Sequence, residues 1–223
     1  MKRSVINKFE MMEGKLSGYV AQLNFRFMNL CVKAEPMSLL SARFNIQGEE
    51  KPIEDVAQVS KKGDYQFMAI PNFEDDMAPL AVGIALKHPE FKQEYGEETV
   101  NVVDEQGNPQ SVKVKYLLLT MPEVDNNRYD VLKESVKTLY DQCMTEIEKV
   151  KAKYTQILAD KTSELPKKEA DEATDQLKKL TDQYDDICKT YRDKKVEEIE
   201  ISHQVWLADE AEKRLNRIQG NKK

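Results

Sequence analysis

The chain has 223 residues, of which 33% are charged and 40% hydrophobic, and 34 Lys and Arg against 40 Asp and Glu give a formal net charge of −6. That is too apolar for a disordered acidic chain, and no run of 18 apolar residues could span a membrane. Only 8 Gly and 8 Pro exclude low-complexity sequence, and the length suits one large domain or two small ones.

The opening MKRSVINKFEMMEG has no apolar h-region, so no secretory signal is expected. Cys31, Cys143 and Cys188 are odd in number and far apart, which suits a reducing, cytoplasmic setting rather than a disulfide framework. Charge is uneven along the chain. Residues 1–34 carry 6 basic and 2 acidic side chains, 35–122 carry 8 and 15, and 123–223 carry 20 and 23. Pro36 and Pro122 lie near the two breaks, where proline disfavours helix at the preceding residue.

The first predicted element is a helix over about 3–32, with a heptad-like stripe of Val5, Phe9, Met12, Leu16, Tyr19, Leu23, Phe27 and Leu30. Periodicity then changes. Leu39–Ile46 reads as a strand closed by Gly48, Pro52–Val59 as a short helix, Tyr65–Ile70 as a strand, and Ala78–Leu86 as an apolar helix behind the acidic loop Glu74-Asp75-Asp76. Thr99–Val103 and Ser111–Leu119 flank a strong turn signal, Asp104 to Pro109. A second long helix over about 125–162 follows the stripe Leu132, Val136, Leu139, Cys143, Ile147, Val150, Tyr154, Ile157. Leu165-Pro166 breaks it. A third helix from Lys167 follows Ala173, Leu177, Leu180, Tyr184, Ile187 and Tyr191, then Val196 and Ile199, with an overhang carrying Trp206, Leu207, Leu215 and Ile218.

Three one-faced helices most simply bury one another as a bundle. The expected fold class is therefore α+β in two domains. An elongated three-helix bundle (1–34 plus 123–223) is interrupted by a small α/β domain (35–122), with Glu35, Pro36, Met121 and Pro122 at a hinge. In the overhang, Trp206 is expected to pack on the inserted domain or to make a self-contact with a second molecule, the helix persisting until Gly220 and the following residues fray.

Catalytic chemistry is hard to find. No phosphate-binding glycine loop or nucleophile elbow occurs, and no CxxC, HxxxH or HExxH spacing supports a zinc site. Cys143 and Cys188 read as small buried residues, because nothing local in sequence supplies a cation or histidine to activate them. His88 reads as a surface histidine ending a helix, and Asp75-Asp76 as a solvated helix cap. No metal, cofactor or enzymatic activity is expected. Basic residues cluster at Lys149, Lys151 and Lys153 and again at Lys189, Arg192, Lys194 and Lys195. Interleaved with acids, they suit either phosphate contact or solvated helix faces.

The order of parts resembles ribosome recycling factor. Lys33-Ala34-Glu35-Pro36-Met37-Ser38-Leu39-Leu40 is similar to the family's R-A-S-P-x-L-L, and Gly48 through Val59 to its G-x-x-x-P-L-x-x-L-A-x-V. Asp76-Met77-Ala78-Pro79 with Ala81-Val82-Gly83-Ile84 resembles its S-M-x-x-x-x-x-A-I helix. Pro122 through Leu132 resembles the P-x-L-T-x-E-R-R-x-x-L entry to the second helix, with Arg128 at the first arginine, and Leu177 through Asp182 resembles V-Q-K-L-T-D. The resemblance covers residues 1 to about 200. It implies an L-shaped, non-catalytic translation factor that binds large-subunit ribosomal RNA of the post-termination ribosome through its bundle. Elongation factor G would be its partner, with no membrane or DNA involved. The RNA-contacting residues it implies are Lys33, Arg128, Lys149, Lys151 and Lys153.

The chain also departs from the family. Glu148-Lys149-Val150-Lys151-Ala152-Lys153 stands where the family has R-N-x-R-R-D, Tyr129 replaces the second arginine of E-R-R, and residues 201–223 have no counterpart. Lysine does not reproduce bidentate arginine. A divergent member is expected. The other reading is a protein-interaction module on the same fold that lacks recycling activity.

Overall fold

The computed structural model describes residues 2–103, 109–163 and 165–220. The elements are α1 (Arg3–Met28), β1 (Arg43–Ile46), β2 (Glu49–Pro52), α2 (Ile53–Val56), β3 (Ala57–Gly63), β4 (Gln66–Pro71), α3 (Met77–Lys87), β5 (Lys92–Val103), β6 (Pro109–Thr120), α4 (Asn126–Thr162) and α5 (Lys167–Gly220). The chain divides into two compact units, residues 1–27 with 126–201 and residues 28–125 with 202–223. The fold is α+β.

The first unit is built from the helices. The buried stripe of α1 is Val5, Phe9, Met12, Leu16, Val20, Leu23 and Phe27, so Val20 takes the place expected for Tyr19, which is half-buried. On α4 the buried set is Leu132, Val136, Cys143, Ile147, Val150, Tyr154 and Leu158. On α5, Ala173, Tyr184, Cys188 and Ile199 are buried, whereas Ile187 is only partly so. These one-residue substitutions arise because an α-helix turns by 3.6 residues and a strict heptad drifts off its buried face. Val5 and Phe9 near the start of α1 share a core with Leu158 of α4 and Ala173 of α5. Farther along, Arg26 Nη1 donates to Gln142 Oε1 at 3.0 Å, so α1 and α4 run in opposite directions. α4 and α5 are likewise antiparallel, since Lys133 meets Glu200, Arg192 lies over Tyr140, and Lys151 meets Asp185.

The second unit contains a two-stranded sheet, β1-β2, and a four-stranded antiparallel sheet in the order β3-β4-β6-β5. Its core includes Phe44, Phe67, Leu80, Ile84, Leu117, Leu119 and Met121. The β1-β2 loop is Gln47-Gly48, both at positive φ (55° and 89°), and the Gly48 N–H donates to Asn45 Oδ1 at 2.9 Å. This is the two-residue turn that matches strand twist, and it needs residues tolerant of the left-handed region. Helix α3 lies against β1 so closely that a Cβ on Gly83 would come within 2.4 Å of Phe44 Cδ1.

Several expected boundaries move here. Pro36–Leu39 is a 3₁₀ turn and the strand begins only at Arg43. The helix expected over Pro52–Val59 is one turn, Ile53–Val56, between strands β2 and β3. β5 starts at Lys92, seven residues before the expected Thr99. Both β3 and β5 are sheet edges, where charge discourages edge-to-edge pairing. Their Lys61, Lys62, Glu94, Glu97 and Glu98 hide the strand signal in the sequence. The expected turn after Val103 falls at residues 104–108, and Asn221 to Lys223 at the end of the tail, outside the described residues. Helix α5 persists to Gly220.

Candidate functional site

Helix α4 carries four of the five residues expected to face RNA. At about 100° per residue, Arg128, Lys149 and Lys153 fall on one side of the helix, while Lys151 falls on another side together with Lys133 and Lys137. Arg128 is half-buried near the first turn, about 32 Å along the axis from Lys149. Lys149 is exposed and pairs with Glu146 at 2.6 Å. Lys153 is exposed and has no ion pair among the described residues. Lys33 is half-buried and lies in the other unit.

Lys151 is different. Its side chain is only 14% exposed and its ammonium meets both oxygens of Asp185 at 2.8 and 2.6 Å and Glu148 Oε1 at 2.8 Å. Burial disfavours the charge, but the two carboxylates outweigh it and hold the lysine above its ordinary range. A cation so engaged ties α4 to α5 and has no free donor for a phosphate. The structure therefore separates Lys151 from the exposed cations with which the sequence grouped it. No local pattern marks it, since its partner Asp185 comes from 34 positions away on α5.

A second group joins Arg192 of the third-helix cluster to Lys133 and Lys137, two residues the sequence did not single out. Lys133 sits 5.1 Å over the ring of Tyr129 and Arg192 sits 4.7 Å over the ring of Tyr140. With Lys137 and Val196 they line a groove of ≈ 690 Å³ between α4 and α5. The (i, i+4) spacing of Tyr129, Lys133 and Lys137 could have revealed it. Of the third-helix cluster, Lys195 is only 11% exposed and pairs with Glu198 at 2.7 Å, and Lys189 pairs loosely with Asp186 at 3.6 Å.

At the expected hinge, Glu35 is exposed and extended before Pro36, which opens the 3₁₀ turn. Met121 is buried in the core of the second unit at 2% exposure, and Pro122 is half-buried. Both chain crossings are held by backbone. The Ala34 N–H donates to Asp64 O and the Met121 N–H to Tyr65 O, each at 2.8 Å. The chain changes unit at Phe27–Met28, at Asp125–Asn126 and again at Ile201–Ser202, all outside those four residues.

His88 is not a surface residue. It is 2% exposed, stacks on Phe91 with ring centroids 4.8 Å apart, and its Nε2 donates to Ser38 O at 3.2 Å. Its Nδ1 faces Glu90 Oε1 at 3.4 Å and Cys31 Sγ at 3.9 Å. Burial opposes the charge, yet Cys31 and Glu90, both facing Nδ1, outweigh it and raise the pKa to about 9. The sequence missed this because the partners Ser38 and Cys31 come from 50 and 57 residues away. Cys31 is itself 3% exposed, so this Cys-His-Glu cluster braces the core and is closed to a substrate. Among the described residues no group of three or more His, Cys, Asp or Glu could hold a metal ion, and no helix is long and apolar enough to cross a membrane.

In the tail, Trp206 is half-buried and stacks on His203 with centroids 5.9 Å apart, whereas Leu215 and Ile218 are exposed.

Neither protein-family models nor curated protein sequences match the chain. Solved structures do. A solution structure of the ribosome recycling factor superposes with a TM-score of 0.67 at 14% identity, covering 89% of this chain and 98% of that one. The fold is that of ribosome recycling factor. A chain from models of the T. thermophilus ribosome recycling factor and the E. coli elongation factor G bound to the E. coli post-termination complex superposes with a TM-score of 0.56 at 16% identity, covering 87% of this chain and 98% of that one. The ribosome recycling factor fold thus accounts for the helical unit and for the sheet unit inserted into it, at an identity low enough to make this a divergent example.

Proposed function

We propose that this chain is a cytoplasmic, non-enzymatic translation factor that binds the post-termination ribosome and promotes subunit release together with elongation factor G. The observation that carries this reading is the match of the ribosome recycling factor fold over 89% of the chain. Ribosomal RNA would be met by the exposed cations Lys149 and Lys153 with Arg128, each phosphate contact releasing counterions. Lys33 would contribute from the other unit, and the segments around Glu35, Pro36, Met121 and Pro122 would serve as the hinge.

The test is co-sedimentation with ribosomes over a salt series, followed by a subunit-splitting assay with elongation factor G. Binding that weakens as salt rises, and splitting that requires both factors, are the expected results. Salt-independent binding, or none, would overturn the reading. The withdrawal of Lys151 into its pair with Asp185 favours a second reading, a ribosome-associated or protein-interaction module without recycling activity. Salt-dependent binding with no splitting would support that one.

A further inference from the structure

The last part of α5 has one side covered and one side bare. The side that carries Ser202, His203, Trp206 and Glu210 is buried or half-buried. Opposite it, at about 100° per residue, run Ile201, Gln204, Ala208, Ala211, Leu215 and Ile218, all exposed. Their steps are 3, 4, 3, 4 and 3, the spacing of a coiled-coil seam. Ile201, Leu215 and Ile218 are 49%, 58% and 59% exposed, and the exposed Val205 and Leu207 widen the apolar strip. Single apolar residues on a surface are ordinary, but a run in heptad register marks a helix without its partner.

Two observations say what the partner is. The seam reads the same from either end. Two copies laid antiparallel bring Ile201 of one against Ile218 of the other, Gln204 against Leu215 and Ala208 against Ala211, all in a single register. The small alanines at the centre let the two helix axes approach closely. Charge selects the same orientation. Residues 196–212 carry six Asp and Glu and no Lys or Arg, whereas 213–223 carry five Lys and Arg and no acid. In that register Glu197, Glu198 and Glu200 come level with the basic section of the other copy, while parallel pairing would set acid against acid and base against base throughout. Near the middle, Asp209, Glu210 and Glu212 meet their own counterparts, which weakens the pairing.

We propose that the end of α5 docks on the same segment of a second copy of this chain, antiparallel through Ile201 to Ile218, as a two-fold dimer. The paired stretch is about 26 Å long. That is at the small end for a specific interface, so the dimer forms and dissociates with protein concentration.

The test is sedimentation equilibrium of the full-length protein over a concentration series, in which the mean mass should rise from one chain towards two. Leu215→Glu puts a carboxylate into the seam and should raise the dissociation constant about tenfold or more. Glu212→Gln should lower it severalfold, and Leu86→Glu, at an exposed apolar residue of α3, should leave it unchanged. Circular dichroism of each variant checks that the helices remain. Orientation is read by oxidative cross-linking: Ile201→Cys mixed with Ile218→Cys should give the mixed disulfide, and neither variant should cross-link to itself. A monomer at every concentration, a dimer unaffected by Leu215→Glu in folded protein, or a self-linked Ile201→Cys would each overturn the proposal. A chain that stays monomeric while Leu215→Glu loses ribosome co-sedimentation would give the seam to the ribosome and overturn it as well.

Discussion

Replacing Lys151 with methionine separates the buried, paired lysine of α4 from the exposed ones proposed to meet RNA. The substitution keeps the aliphatic length but removes the ammonium, leaving Asp185 without its bidentate partner at 2.8 and 2.6 Å. Stripping one member from a fully buried pair costs about 3–5 kcal/mol. Here Lys151 and Asp185 keep 14% and 23% exposure, so water reaches the orphaned carboxylate and about 2 kcal/mol remains. The bond to Glu148, which is 64% exposed, adds at most a few tenths. Urea unfolding followed by circular dichroism should show this as a lower midpoint at constant slope. Lys151→Met/Asp185→Leu should recover most of the loss, because an apolar replacement for both partners removes the uncompensated charge. Ribosome binding by the folded variant should keep its salt dependence, whereas Lys153→Met should leave stability within about 0.5 kcal/mol and lower the salt slope by about one. A Lys151→Met protein of unchanged stability whose salt slope falls by about one would refute this division of labour.

Three further outcomes are expected. Gly83→Ala should destabilise by about 1–3 kcal/mol, because the new methyl meets Phe44 Cδ1 at 2.4 Å and the Arg43 carbonyl at 2.7 Å. Gly14→Ala and Gly18→Ala on α1, whose Cβ positions meet nothing within 4 Å, should each stabilise by up to about 1 kcal/mol in the same unfolding assay, and the opposite signs would count against the packing described. The pKa of His88 is about 9 in the folded chain against an ordinary 6.5, so its contribution is complete below about 6.5 and is lost as pH rises towards 9. Unfolding midpoints measured across that window should therefore fall in the wild type and flatten in His88→Gln.

The helices were legible because each has one apolar face, and a 3.6-residue repeat survives any detail of its partner. Their registers were less so: Val20 stands for Tyr19 and Cys188 for Ile187, because the buried face follows 3.6 residues per turn and not a strict heptad. In the inserted unit, the core strand β4, most of β6 and the end of β5 from Thr99 were readable, while the charged edge strand β3 and the first seven residues of β5 were not, since edge position suppresses the very pattern that marks a strand. The candidate site was read at the level of residue type only. That Lys149 and Lys153 are exposed while Lys151 is sequestered depends on Asp185, a residue 34 positions away. His88 failed in the same way, its burial being decided by Ser38 and Cys31.

The paired hydrogen bonds at Ala34 and Met121 make entrance and exit of the sheet unit neighbours, since both end on the single turn formed by Asp64 and Tyr65. Segment 34–121 thus begins and ends at one place, as insertable segments do. The helices that flank it in sequence need to agree on the distance between those two points, and the end of α5 from Ser202, which belongs to the same compact unit, adds a third constraint. Surface and loop changes within the segment that leave those places alone are free to accumulate, which fits a chain that keeps this architecture at 14% identity.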